Sequence, residues 1–331
     1  MRKSSIVIVA GLLVFLLVGA VLSMNLGKMA LSPFEVFTTL FGKGTANNEL
    51  VLFEFRLPRI ALAVLVGVGM AASGTVLQGL LRNDLADPGI LGISAGSGLV
   101  VLVFISILGA DGLSSAIMLP LLAFIGGLFA AFLIYLFSYR KGAFPSPTRL
   151  ILTGVAINVG LGAVSLFLTL KLDENQYAFA QKWQAGYLWG DKWVYIAILA
   201  PWVLLLFGYA WYKSRTLNTI GMGYEVATGV GVSVNKAFVS LTLTAVAIAS
   251  GSVALGGSIF FIGLISPHIA RKLVGSDHKV LLPAAGIIGG MILLASDTIV
   301  RTASFVMGIP AGVIVTIVSV PYFLYLLIKA S

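Results

Sequence analysis

Residues 54–81 read EFRLPRIALAVLVGVGMAASGTVLQGLL. From Ile60 to Leu81 no side chain is charged, and the run is long enough for an α-helix to cross a hydrocarbon core, which takes about 20 residues. Gly67, Gly69 and Gly74 within it suit close helix contact in lipid, where small residues let backbones approach. The segment therefore reads as a membrane helix made to pack against other helices. Two guanidinium groups, Arg56 and Arg59, stand at its lip.

The rest of the chain extends this reading. Of 331 residues, 59% are hydrophobic and only 10% charged, and the mean hydropathy is +1.06. A water-soluble core cannot bury that much apolar material. The apolar runs have the length of membrane helices and lack the alternation of an outer-membrane barrel. The expected fold class is an all-α polytopic membrane protein, a single transmembrane domain over 1–331. The basic start and apolar run of residues 1–23 resemble a secretory signal, but Ile6 to Leu22 is long for one and reads as a retained first helix. The absence of cysteine excludes disulfides, Cys-ligated zinc and thiol catalysis.

Charges, Pro/Gly clusters and aromatic belts divide the chain into ten expected spans: 6–24, 58–81, 89–108, 115–138, 149–170, 193–212, 236–255, 258–271, 280–299 and 309–329. Ten crossings put both termini on one side. With that side cytoplasmic, thirteen Lys and Arg fall inside and eight outside, as the positive-inside rule requires. Inside loops then carry essentially the whole net charge of +9, which removes the argument for a nucleic-acid partner. Arg56, Arg59 and Arg301 fall outside. They read either as anchors snorkelling to lipid headgroups or as forks for an anionic partner. Asp297 lies one helical turn before Arg301, a spacing that suits an intrahelical ion pair.

No Walker A spacing, HExxH, GxSxG or Ser/Lys catalytic pattern occurs, so the chain itself is not expected to bind ATP, hold a metal or act as an enzyme. His268 and His278 read as structural or loop residues. The span centres are almost free of ionisable groups, whereas an ion-coupled secondary transporter, the rival reading of another class, needs such groups near the midplane. Gln78, Thr153 and Asn158 either line a pathway or bond across helices. The segment 216–236 is too polar and glycine-punctuated to cross. Met222 to Val230 suits a short helix parallel to the membrane, a docking surface for a soluble partner or an ordinary connector.

Several stretches together resemble one family, the permease subunits of binding-protein-dependent ABC importers for iron-siderophores, haem and vitamin B12, the FecCD type. RLPRIALAVLVGVGMAASGTVLQGLLRNDLADPGILGISAG (56–96) and GGSIFFIGLISPHIARKLVGSDHKVLLPAAGIIGG (256–290) are similar to its two most distinctive blocks. WQAGYLWGDKW (183–193), LNTIGMGYEVATGVGV (217–232), SDTIVR (296–301) and IPAGVIVTIVSVPYFLYLL (309–327) follow the family in order.

The resemblance implies a ten-helix subunit paired with a second permease subunit, identical or paralogous. It also implies two cytoplasmic ATPase subunits that bind the ATP, and an extracytoplasmic binding protein. Arg56, Arg59 and Arg301 are then docking charges for that protein. Gly221, Met222, Gly223, Tyr224, Glu225, Ala227 and Gly231 belong to the ATPase-coupling segment, and Asn83, Leu85 and Thr148 to the cytoplasmic gate. The implied cargo is a ferric siderophore, with haem or cobalamin as alternatives. The chain departs from the family pattern at Asp84, where proline is common, and at Pro147. Tyr224 stands at a usually acidic position, Gly308 in place of a glutamate and Ser319 in place of a glycine.

Overall fold

A computed structural model describes residues 3–27, 29, 31–89, 92–108, 113–138, 146–189, 192–303, 306 and 308–330. Among them, regular structure is helical throughout. The chain runs through α1 (Lys3–Asn25), α2 (Pro33–Leu40), α3 (Ala46–Glu49), a π-helical stretch (Leu50–Arg56) and α4 (Leu57–Leu81). There follow α5 (Ile93–Leu108), α6 (Leu113–Ser138), α7 (Pro147–Thr169), α8 (Glu174–Gln184) and α9 (Trp193–Tyr212). The last third holds α10 (Ser214–Gly221), α11 (Tyr224–Gly229), α12 (Val234–Gly256), α13 (Ile262–Val274), α14 (His278–Thr302) and α15 (Ala311–Ala330). Arg2, Lys28, Arg140 and Lys141, four of the charges used to orient the chain, lie outside the described residues.

The uncharged run from Ile60 to Leu81 is the centre of the bundle. Nearly every residue of α4 from Val66 to Leu81 is buried, with α12, α13 and α14 packed around it. Glycine makes this possible at two crossings. A Cβ on Gly67 would lie 2.3 Å from the Gly289 carbonyl oxygen, and one on Gly289 would lie 2.4 Å from that of Gly67. On Gly74 it would meet the Gly263 carbonyl oxygen at 1.9 Å. α5 and α6 repeat the device through Gly96 and Gly126. α1 lies on α14 and turns Val7, Val14, Phe15 and Val18 outward, an apolar face suited to lipid.

Seven described helices have the length and apolarity of a crossing: Ser4–Asn25, Ala46–Leu81, Leu121–Ser138, Pro147–Thr169, Trp193–Tyr212, Val234–Gly256 and His278–Thr302. The other three expected spans fall on α5, α13 and α15. α13 has only 13 residues, because residues 257–261 before it are not helical. The stretch between α1 and α4, read from sequence only as a connection, is ordered by local signals. Ser32 and Glu35 form a capping box at α2, and Thr45 caps α3.

Gly67→Ala is expected to force α4 and α14 apart and to lower stability by about 1–3 kcal/mol, the usual penalty of overpacking. Gly208→Ala, where a Cβ meets nothing within 4 Å, is expected to be neutral or slightly stabilising. Thermal unfolding in detergent compares them, and equal midpoints would contradict the close contact.

Candidate functional site

The three arginines singled out in the sequence gather at one end of the bundle. Arg56 ends the π-helical stretch, Arg59 stands in the first turn of α4 and Arg301 in the last turn of α14, and with Tyr187 they line a cleft of about 560 Å³. Their environments differ. Arg56 is buried, and its guanidinium donates to the backbone carbonyls of Met24 and Met29, tying the chain after α1 to the start of α4. Arg59 and Arg301 share one carboxylate. Arg59 Nε donates to Asp297 Oδ1 at 2.9 Å, and Arg301 Nε to Asp297 Oδ2 at 2.8 Å. Arg301 also donates to Ser23 Oγ at 2.6 Å, and the Arg59 guanidinium carbon lies 5.6 Å from the centre of the Tyr187 ring.

Asp297 is fully buried, whereas the Arg59 and Arg301 side chains keep 14% and 16% of their exposure. One carboxylate beneath three guanidinium groups leaves a local charge of about +2, in a cleft where screening is weaker than at an open surface. The arrangement fixes two forks while leaving excess positive charge toward the opening. It can receive carboxylates or other anions. The intrahelical pair with Arg301 was legible from the spacing. The Arg59 partner was not, because 238 residues separate it from Asp297.

At the opposite end of α4 lies the segment read as a coupling surface. It begins as a helix rather than a loop: α10 buries Leu217 and Ile220, and α11 buries Ala227. Gly223, at φ +129°, makes the break between them, and Gly231, at φ +88°, ends the segment, both in conformations that favour glycine. Met222, Val226 and Val230 are exposed, Met222 to 70%; Gly221 and Glu225 are exposed with them. The outer face is thus an apolar ridge. On the inner face the Tyr224 hydroxyl donates to the Leu80 carbonyl at 2.7 Å, one of the last carbonyls of α4, which lack partners within the helix. Burial raises the Tyr224 phenol above its ordinary value.

Other departures from the family pattern also acquire physical roles. Asp84 pairs with Arg271 of α13 at 2.9 Å, and Arg271 also donates to Gln78 Oε1 at 3.2 Å. Gln78 therefore bonds across helices. Gly308 sits at φ +89° beside the arginine cleft, where a glutamate would be strained. Of the expected gate residues, Asn83 closes a turn by accepting from the Leu85 N–H at 2.8 Å, and Leu85 is exposed. Thr148 stands on a separate element, the exposed first turn of α7.

A polar knot near the coupling segment escaped the sequence reading. Asn218 Nδ2 donates to Asp277 Oδ1 at 2.7 Å, and the His278 N–H donates to Asn218 Oδ1 at 2.9 Å. The Asn218 amide, with the Lys279 N–H, holds the Asp277 carboxyl below its ordinary pKa. Some 60 residues separate these partners, and nothing in their local pattern announces the pairing. Among the described residues, no three of His, Cys, Asp and Glu come together as a metal site.

Residues 13–329 match the FecCD transport family. The chain is 43% identical over 323 residues to the iron(3+)-hydroxamate import system permease protein FhuG of Bacillus subtilis, covering 96% of each chain. It is 36% identical over 321 residues to the hemin transport system permease protein HmuU of Yersinia pestis, covering 96% of this chain and 94% of the relative. Among solved structures, an inward-facing metal-chelate type ABC transporter aligns with a TM-score of 0.84 at 28% identity, over 98% of this chain and all of that one.

Asp297→Ala is expected to destabilise the protein by about 3–5 kcal/mol, since it leaves two partly buried arginines without their carboxylate. Arg301→Ala should cost less, because Asp297 keeps Arg59. Unfolding midpoints in detergent decide, and an Arg301→Ala penalty as large as that of Asp297→Ala would contradict a shared carboxylate.

Proposed function

This chain belongs to the FecCD transport family, and on that premise we propose that it is the permease subunit of an ATP-driven importer whose cargo is a ferric siderophore delivered by an extracytoplasmic binding protein. It is a multi-pass membrane protein and a permease of the metal-chelate ABC importer type. The observation that carries the cargo is the 43% identity across nearly the whole chain to an iron(3+)-hydroxamate permease. A second relative, the iron-uptake system permease protein FeuC of Bacillus subtilis, stands at 40%. The haem relative is more distant, at 36%.

In this reading all 331 residues form one transmembrane domain of ten crossings. α5, α13 and α15 complete the ten, and both termini are cytoplasmic. A second permease subunit, identical or paralogous, packs beside it. In this reading that neighbour covers the outward apolar face of α7, where Leu152, Val159, Leu166 and Phe167 are exposed. Arg59 and Arg301 receive acidic side chains of the binding protein. Arg56 shares the docking role chiefly by holding the rim, since its guanidinium is committed to two carbonyls. Charge complementarity of this kind governs register and on-rate more than affinity.

Two ATPase subunits bind the ATP and seat the ridge of Met222, Val226 and Val230, with Gly221, Gly223, Tyr224, Glu225, Ala227 and Gly231 shaping the coupling segment. Their closure moves the cytoplasmic gate, to which Asn83, Leu85 and Thr148 are assigned. The transport subunit needs no catalytic group. Uptake by starved cells, with iron-55 ferric siderophores, iron-55 haem and cobalt-57 cobalamin offered in turn, tests the reading. A ferric siderophore should be taken up, and Met222→Asp/Val226→Asp should lower that uptake at least about tenfold at equal membrane abundance, by burying charges unpaired in the ATPase interface. Uptake of haem or cobalamin alone would replace the cargo, and full uptake by the variant would remove the coupling role.

Arg59→Gln/Arg301→Gln should slow association of the binding protein by about tenfold at low salt and by less at high salt, because both charges act through a screened field. Surface plasmon resonance on the reconstituted complex measures it. A salt-independent rate equal to that of the native chain would leave the arginines a purely structural role.

A further inference from the structure

The knot at Asn218 has an unusual place in the molecule. Asn218 lies in α10, between the membrane helix α9 and the ridge of α11. Its amide makes three contacts with the start of α14: Nδ2 donates to Asp277 Oδ1 at 2.7 Å, while Oδ1 receives the His278 N–H at 2.9 Å and lies 2.7 Å from His278 Nδ1. An acceptor at Oδ1 makes Nδ1 the donor, so the ring nitrogen facing the other way is Nε2. That side abuts α4: a Cβ on Gly79 would lie 2.5 Å from His278 Nε2 and 3.3 Å from Leu217 Cδ2. Three elements, α4, α10 and α14, therefore close on one buried imidazole, and the Asn218 amide supplies both the donor and the acceptor that the knot uses.

The far ends of the same helices carry the arginine cleft. α14 runs from His278 to Asp297 and Arg301, and α4, entered just after Arg56, runs from Arg59 to Leu80, whose carbonyl the Tyr224 hydroxyl engages. Between these ends the two helices touch backbone to backbone at Gly67 and Gly289. A displacement of α10 and α11 relative to α14 must break the Asn218 bonds or be carried into the pair. We infer that Asn218 is a positioning residue that clamps the coupling segment to α14, so that movement of the segment reaches the α4–α14 pair and the arginine cleft at its other end. The inference rests on the coupling role proposed above.

The test exchanges the two groups. Asn218→Asp removes the donor and sets a carboxylate against that of Asp277. Asp277→Asn keeps an oxygen for the Asn218 amide and can still cap α14. The double variant Asn218→Asp/Asp277→Asn restores an amide-to-carboxylate bond in the reverse sense, together with the acceptor for His278. In the assembled transporter, the ratio of binding-protein-stimulated to basal ATP hydrolysis should fall about fivefold in Asn218→Asp and recover to within about twofold in the double variant, a coupling of the size that contacting residues show. An unchanged ratio in Asn218→Asp, or no recovery in the exchange, overturns the clamp.

A second measurement reads the clamp without transport. Spin labels at the exposed Val226 and Lys279 should give a narrow distance distribution in the native chain, a broad one in Asn218→Asp, and a narrow one again in the exchange. Equal widths in all three overturn the clamp. Absence of any stimulation by the binding protein in the native chain would count against the importer reading, and the spin-label result would still decide the clamp.

Discussion

The structure depends on the approach of α4 and α14 to backbone contact. With Gly67 and Gly289 opposite each other, neither helix can carry a Cβ at the crossing, and the gain is dispersion between two polypeptide backbones in a setting where apolar side chains alone do not drive association. This contact gives the bundle an inner pair against which α1, α12 and α13 pack. It also explains why so much of α4 is free of charge. A helix enclosed by other helices has no route by which a charged side chain reaches water.

Ionisable groups are accordingly confined to the two ends of this pair, and each end is built around one buried group that several elements share. At one end it is the carboxylate of Asp297, which holds two guanidinium groups. At the other it is the imidazole of His278, held by Asn218 and pressed against Gly79. A buried carboxylate with partners from distant parts of the chain is costly to leave half-satisfied. The arrangement therefore resists partial rearrangement, which suits the transmission of displacement proposed for this permease.

How much of this was legible in the sequence follows from the range of the interactions. The central helix, the apolar class and the pair Asp297–Arg301 rest on spacing within one segment, and hydropathy or helical periodicity reads them directly. The small helices α2 and α8 carry capping boxes at Ser32 and Asp173, a local signal present in the chain but masked by the polarity of the loops around it. The partners of Arg59, Arg56 and Asn218 lie some 30 to 240 residues away, and no local pattern points to them. Tyr224 and Asp84, which looked like departures from a family pattern, became intelligible once Leu80 and Arg271 were found beside them.

On the proposed function this chain moves a metal chelate with energy supplied by ATP on separate subunits. The most direct measurement is accumulation of a ferric hydroxamate in proteoliposomes containing this chain, its second permease subunit and the ATPase pair, with the loaded binding protein on the outside. Accumulation that requires both internal ATP and the binding protein, and that is indifferent to collapse of proton and sodium gradients, is the predicted result. Accumulation driven by an imposed ion gradient in vesicles lacking the ATPase subunits would contradict it.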